Sequence, residues 1–197
     1  MNTLYPIFLK LHQLKVLIVG AGEVGCEKLT FMLKSSPDAR ITVVAKEVLP
    51  PVEDLLRQYP DVQLDIQLKP FEASDTEGFD LVIAATNFNS LNLEVRTAAK
   101  ASGALVNVAD TPDLCDFYLG SIVTRGDLKV AVSTNGKSPT FAKRFRQWLE
   151  ASLPDDTEEL LLHLKQFRDR LSGDFSAKVK ALNEATRSLV NEHSEKN

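Results

Sequence analysis

Cysteine and histidine are scarce in this chain. Its 197 residues hold two cysteines, Cys26 and Cys115, and three histidines, His12, His163 and His193. Neither cysteine belongs to a Cys-x-x-Cys pair, which argues against a disulfide framework and a thiolate metal site. The histidines are scattered without metal-ligand spacing, so an imidazole metal centre is not expected either. Basic excess is also lacking. The 23 Lys and Arg stand against 27 Asp and Glu, a formal charge of -4, whereas neutralising nucleic-acid phosphates takes a basic surface. No hydrophobic run reaches the length of a membrane span. The opening MNTLYPIFLKLHQLKVLIVG is apolar in outline, but Lys10, His12 and Lys15 interrupt it and no basic n-region or cleavage site appears; it reads as a strand leading into a core. These absences place the chain, as an expectation, in the reducing cytoplasm, with no metal site and with neither nucleic acid nor membrane as a partner.

What is present is enough apolar residue to bury a core: 44% hydrophobic against 25% charged. In the first half, short apolar runs alternate with helical patterns. KVLIVG, RITVVA, VQLDIQL, DLVIAAT and ALVNVA read as strands. Helical spacing falls around Leu29, Met32 and Leu33, over residues 51–59, and over residues 90–102. This grammar predicts an α/β fold, a Rossmann-type doubly wound parallel sheet over residues 1–113. A small β-rich region follows over 114–137, in which YLGSIVTR and LKVAVST meet at Arg125-Gly126-Asp127; in this setting that triplet is a hairpin turn, not an adhesion motif. Residues 138–197 read as a helical domain. Ser138 and Pro139 supply an N-cap and an N1 proline, with Phe141, Phe145, Trp148 and Leu149 on one face. Leu160, Leu164, Phe167 and Leu171 mark a second helix ended by Ser172-Gly173, Val179, Leu182, Thr186 and Leu189 mark a third, and EHSEKN reads as a frayed tail.

The stretch LIVGAGEVGCEKL carries Gly20, Gly22 and Gly25 as a complete G-x-G-x-x-G between a strand and a helix. In that context the first glycine permits a tight turn, the second lets backbone approach a pyrophosphate and the third lets the helix pack closely. The helix N-terminus favours the anion. After the second strand, Glu47 could take the ribose hydroxyls of NAD and Lys46 could meet the 2′-phosphate of NADP; the reading leans to NAD. In an open α/β sheet the ligand crevice lies outside the carboxyl ends of the strands, which directs Thr86, Asn87, Asn107 and Asp110 to one edge. A carboxylate there can remove a proton or attend a metal ion entering a ligand; it could equally cap the turn into Thr111-Pro112. Ser133 and Thr134 read as a ligand-contacting loop. Lys137, Lys143, Arg144 and Arg146 surround a helix N-terminus, an arrangement suited to an anionic substrate or simply to a solvated basic face.

Taken together, YPIFLKL, VGAGEVGCEKL, LVIAATNF, VNVADTPDLCDFYLGSIV and LKVAVSTNGKSPTFAKRFRQWLE resemble the precorrin-2 dehydrogenase and sirohydrochlorin ferrochelatase family, the dehydrogenase and chelatase part of siroheme synthase. The resemblance implies a Rossmann domain, a dimerisation region at 114–137 and a helical domain, assembled as a homodimer. It implies oxidation of precorrin-2 by NAD to sirohydrochlorin, with ferrous iron as the substrate of a second step that gives siroheme. It carries NAD contacts onto Glu23, Val24, Lys46 and Glu47, the catalytic aspartate onto Asp110, and a serine-type position tied to the chelatase balance onto Thr134. The polycarboxylate substrate gives Lys137, Ser138 and Arg144 a task. A methyltransferase domain, fused in some relatives, is not expected. The competing readings are a dehydrogenase that inserts no metal and a non-enzymatic NAD-sensing module.

Overall fold

The computed structural model describes residues 2–59 and 62–187, apart from the side chains of residues 53 and 56. The chain forms two compact units. One takes the residues up to Ser121 together with Ser133–Ala142; the other takes Ile122–Val132 with the residues from Lys143 onward.

The first unit is built on five parallel strands: β1 (Lys15–Val19), β2 (Arg40–Ala45), β3 (Gln63–Leu68), β4 (Leu81–Ala84) and β5 (Leu105–Val108). Their order is β3-β2-β1-β4-β5, so the direction of winding reverses between β1 and β4. Three helices connect them: α1 (Glu23–Ser35), α2 (Pro50–Gln58) and α3 (Asn89–Ala101). The period of two along each strand divides the apolar side chains between two cores. Val16, Ile18, Ile41 and Val43 pack on one face with Leu29, Met32 and Leu33 of α1 and Val52 of α2. Leu17, Val19, Val82 and Val106 pack on the other with Val95 and Ala99 of α3. Because β1 and β4 are covered on both faces they read as unbroken apolar runs, whereas the edge strand β3 alternates exposed and half-buried. Each fully buried Val, Leu or Ile contributes about 1.5–3 kcal/mol.

One difference from the sequence reading has a physical reason. Residues 2–10 form no strand, and Tyr5 and Phe8 are 86% and 68% exposed. Both flanks of β1 are already taken by β2 and β4, so the strand begins only at Lys15, after a 3-10 turn over Leu11–Gln13. The connection from β3 to β4, where the sequence marks no helix, contains a 3-10 turn, Ala73–Thr76.

In the second unit, β6 (Ser121–Arg125) and β7 (Leu128–Val132) form the expected hairpin around Gly126-Asp127. Gly126 has φ +53, and a Cβ there would stand 2.6 Å from side-chain atoms of Glu158. Helix α4 (Pro139–Ser152) is divided between the units, and α5 (Thr157–Arg170) and α6 (Phe175–Ala185) follow. The Arg125 guanidinium donates to the Glu150 carbonyl at 2.8 Å, fastening the hairpin to the last turn of α4. Phe141, Phe145 and Trp148 lie along α4 as expected but are exposed, the last two with stacked rings 5.4 Å apart. Leu189 and EHSEKN lie outside the described residues. Among those described, no helix is long and apolar enough to cross a membrane.

Candidate functional site

The three glycines after β1 serve different ends. Gly20 has φ +105, and a Cβ on it would lie 2.5 Å from the Ala85 carbonyl oxygen; a Cβ on Gly25 would lie 2.0 Å from the Gly20 carbonyl oxygen. Both are glycine because the turn, the start of α1 and the end of β4 are pressed together. Gly22 is not so confined. Its φ of -76° and ψ of -167° suit any residue, and nothing lies within 4 Å of where its Cβ would be. It caps the N-terminus of α1, where free N–H groups and the helix dipole favour an anion. The open space fits the approach of a dinucleotide pyrophosphate. Glu23 is exposed in the first turn of α1, and Val24 is half-buried against the core.

Other strand ends converge on this turn. The Gly20 N–H donates to Val44 of β2 at 2.9 Å and the Ala85 N–H to Val19 of β1 at 2.9 Å. Lys46 and Glu47, just past β2, are exposed; the Leu49 N–H reaches the Ala21 carbonyl at 3.4 Å. Past β4, Thr86 Cγ2 lies 3.1 Å from the place of a Gly20 Cβ, and Asn87 is exposed. Sequence reasoning missed Asn92, which is buried and hydrogen-bonded to Thr86. The signal was available, because a polar residue at 92 extends the buried stripe of Val95 and Ala99.

At the end of β5 the chain turns sharply. Asp110 takes φ +57, uncommon for a side-chain-bearing residue, and is exposed. Among the described residues none donates a hydrogen bond to its carboxylate, so the Asx-turn alternative is not what the fold uses. The turn is held from beneath. Asn107 is 6% exposed and its amide donates to the Phe117 carbonyl at 2.8 Å; the structure places this expected substrate contact under the edge, not on it. Cys115 Sγ accepts from the Val108 N–H at 3.2 Å and also lies 3.2 Å from the Val108 carbonyl and 3.4 Å from that of Thr111. Burial pushes the Cys115 thiol above its usual range. Asp116 accepts from Lys100 Nζ at 2.9 Å and from the Val106 N–H at 2.9 Å, while its own N–H donates to the Val106 carbonyl at 2.7 Å. Burial opposes ionisation of Asp116, but the Lys100 ammonium and the Val106 N–H outweigh it and hold the carboxyl below the ordinary value.

A second loop lies beside this turn. Asn135 and Gly136 have φ of +53° and +75°, and a Cβ on Gly136 would lie 3.9 Å from Pro112 Cγ. Within the loop the Thr134 hydroxyl accepts from the Ser138 N–H at 3.1 Å, and the Ser138 hydroxyl from the Phe141 N–H at 3.2 Å, so Ser138 is the N-cap of α4 as expected. Lys137 is exposed. Arg144 falls in the second unit, where it donates to Gln147 at 3.1 Å, and Arg146 pairs with Glu150. The structure thus gathers Gly20, Gly22, Gly25, Thr86 and Asn87 at one place, and Asp110 with the Thr134–Ser138 loop at another on the same unit.

A family model described as putative NAD(P)-binding matches residues 7–121. The chain belongs to that family. A second model, described as sirohaem biosynthesis protein central, matches residues 125–152. The siroheme synthase of Methylococcus capsulatus is 42% identical over 167 residues, 84% of this chain and 34% of that protein. That of Pseudoalteromonas atlantica is 35% identical over 176 residues, 89% of this chain and 37% of that protein. The chain therefore spans about a third of the length of these relatives. Among solved structures, SirC, a precorrin-2 dehydrogenase, superposes with a TM-score of 0.73 at 26% identity, covering 92% of this chain and 88% of that one. These matches uphold the resemblance to the precorrin-2 dehydrogenase family and the Rossmann-type fold with its small antiparallel sheet and following helices. The NAD(P)-binding description of the family accords with the open space at Gly22.

Proposed function

We propose that this chain oxidises precorrin-2 to sirohydrochlorin with NAD as acceptor and then inserts ferrous iron to give siroheme. The observation that carries the reading is the turn of Asp110, a carboxylate without a hydrogen-bond donor among the described residues, at the carboxyl end of a strand in the sheet that carries the glycine turn. NAD held at the Gly20–Gly25 turn would supply the hydride acceptor. The oxidation also releases a proton from the macrocycle, and Asp110 is the base that takes it. Iron insertion displaces two pyrrole protons, for which the same carboxylate serves. Gly20, Gly22 and Gly25 shape the cofactor turn, Glu23 and Val24 begin the helix beneath it, Lys46 and Glu47 face the adenosine ribose, and Asn87 faces the crevice. Thr134, Lys137 and Ser138 attend the acidic substrate, Lys137 through charge. Residues 114–137 form the dimerisation region of a homodimer working in the cytoplasm.

The test is anaerobic NADH formation from precorrin-2 by the wild-type protein and by Asp110→Asn. The expected result is NADH from the former, and from the latter a rate lower by about 100-fold or more with NAD affinity retained. Equal rates would remove Asp110 from the chemistry.

A dehydrogenase without metal insertion is the second reading, resting on the threonine that stands at the serine-type position 134, whose hydroxyl accepts from the Ser138 N–H. Sirohydrochlorin and ferrous or cobaltous ion, supplied anaerobically, separate the two readings. Absorbance change no faster than the uncatalysed rate would leave oxidation alone.

A further inference from the structure

We propose that Asn92 is the positioning residue of the dinucleotide crevice, setting NAD affinity by fixing which polar groups of the β4–α3 loop face the ligand. This rests on NAD binding by the chain. Asn92 lies in the second turn of α3 and is 4% exposed. Asparagine is a poor helix former, and a buried amide is costly unless its hydrogen bonds are made. All of those seen here go to one residue. Asn92 Oδ1 accepts from the Thr86 N–H at 3.1 Å and from the Thr86 hydroxyl at 2.7 Å, and Asn92 Nδ2 donates to the Thr86 carbonyl at 3.0 Å.

The consequence is subtractive. Both backbone polar groups of Thr86 and its hydroxyl proton are spent inside the protein, and the hydroxyl oxygen accepts from the Phe88 N–H at 3.2 Å. What the loop can still offer a ligand is Asn87, which is exposed and has no internal hydrogen bond among the described residues. The same pairing holds the loop against the glycine turn, where the Ala85 carbonyl and Thr86 Cγ2 crowd the position of a Gly20 Cβ at 2.5 and 3.1 Å. Of the two residues expected to meet the cofactor, Asn87 is therefore the contact and Thr86 the coupling through which Asn92 acts.

The test is NADH titration, followed by nicotinamide fluorescence across pH, on the full chain and on Asn92→Asp and Asn87→Ala. In Asn92→Asp the ionised carboxylate sets an acceptor against the Thr86 carbonyl; protonation restores a donor, and burial moves that protonation toward neutral pH. Expected is an affinity about tenfold below wild type at about pH 8, recovering towards wild type by about pH 5.5. Asn87→Ala weakens binding equally at every pH. Wild-type affinity in a cooperatively folded Asn92→Asp at the upper pH overturns the proposal, and so does a loss that does not recover. Should Asn92→Asp fail to fold, Thr86→Val removes the hydroxyl, both the donor to Asn92 and the acceptor for the Phe88 N–H, and is expected to weaken binding several-fold; unchanged affinity there overturns it too. Failure of the wild-type protein to bind NADH would defeat the cofactor reading as well, an outcome the wild-type titration separates from the failure of Asn92 alone.

Discussion

Asp110 is held in a backbone conformation that its own side chain does nothing visible to stabilise. Left-handed backbone costs an L-residue roughly 1–2 kcal/mol, less for aspartate than for most, so a glycine at this position relieves strain. The expected outcome for Asp110→Gly is unfolding stability unchanged or raised by up to about 1 kcal/mol with loss of turnover, measured by urea denaturation and NADH formation on one preparation. A clear drop in stability would mark the residue as structural. The glycines give a second contrast at this scale. Gly20→Ala drives a methyl into the Ala85 carbonyl from a φ of +105° and is expected to cost more than about 2 kcal/mol. Gly22→Ala has ordinary dihedrals and empty space, so its stability stays within about 0.5 kcal/mol of wild type while NADH affinity falls. Equal stability losses in the two variants would refute the division of labour between them.

At the scale of elements, the loop from Ala109 to Phe117 is a device for holding one turn in place. Asp116 is its charged component, and because its carboxyl titrates below the ordinary value, its sign is fixed. The ionised form is favoured in the folded protein, so the stabilisation is complete above the unfolded carboxylate value of about 4 and is lost as pH falls through the lower folded value. Denaturation of wild type and Asp116→Asn across that range is expected to show a stability gap at neutral pH that closes in acid; a gap independent of pH would assign the effect to geometry alone. Cys115, buried with its thiol pushed up, is expected to resist iodoacetamide in the native protein and to react after denaturation. Rapid native labelling would contradict the packed loop. Much of this element was readable beforehand: an apolar run ending in Asp-Thr-Pro foretold a strand and a turn at the right residues. The return of Asp116 onto Val106 was not, because a side chain that substitutes for a neighbouring strand has no periodicity to betray it. Asn107 was misplaced for a related reason. The alternation of β5 puts every second residue on one face, but an asparagine carried under the sheet edge and one at its rim look alike in sequence.

For the whole molecule, the parallel sheet and its glycine loop were legible because fully buried strands leave unbroken apolar runs and because Gly20 and Gly25 answer to packing that no other residue satisfies. The second unit was legible as elements but not as surfaces. Its helices have the expected spacing, yet Phe145, Trp148, Leu162 and Phe175 are exposed, since apolar periodicity tells which side chains share a face and not what covers it. If residues 114–137 serve a homodimer, sedimentation equilibrium is expected to give twice the chain mass. A single-chain mass at all concentrations would remove that assignment. The sheet itself has one well-finished margin. Beside β5 the chain fills the next lane for the length of a single residue, giving Val106 a carbonyl's worth of partner from a carboxylate and an N–H from the backbone. No sixth strand, native or foreign, can be recruited at that point without evicting Asp116, so one residue guards this margin of the sheet against pairing with another chain.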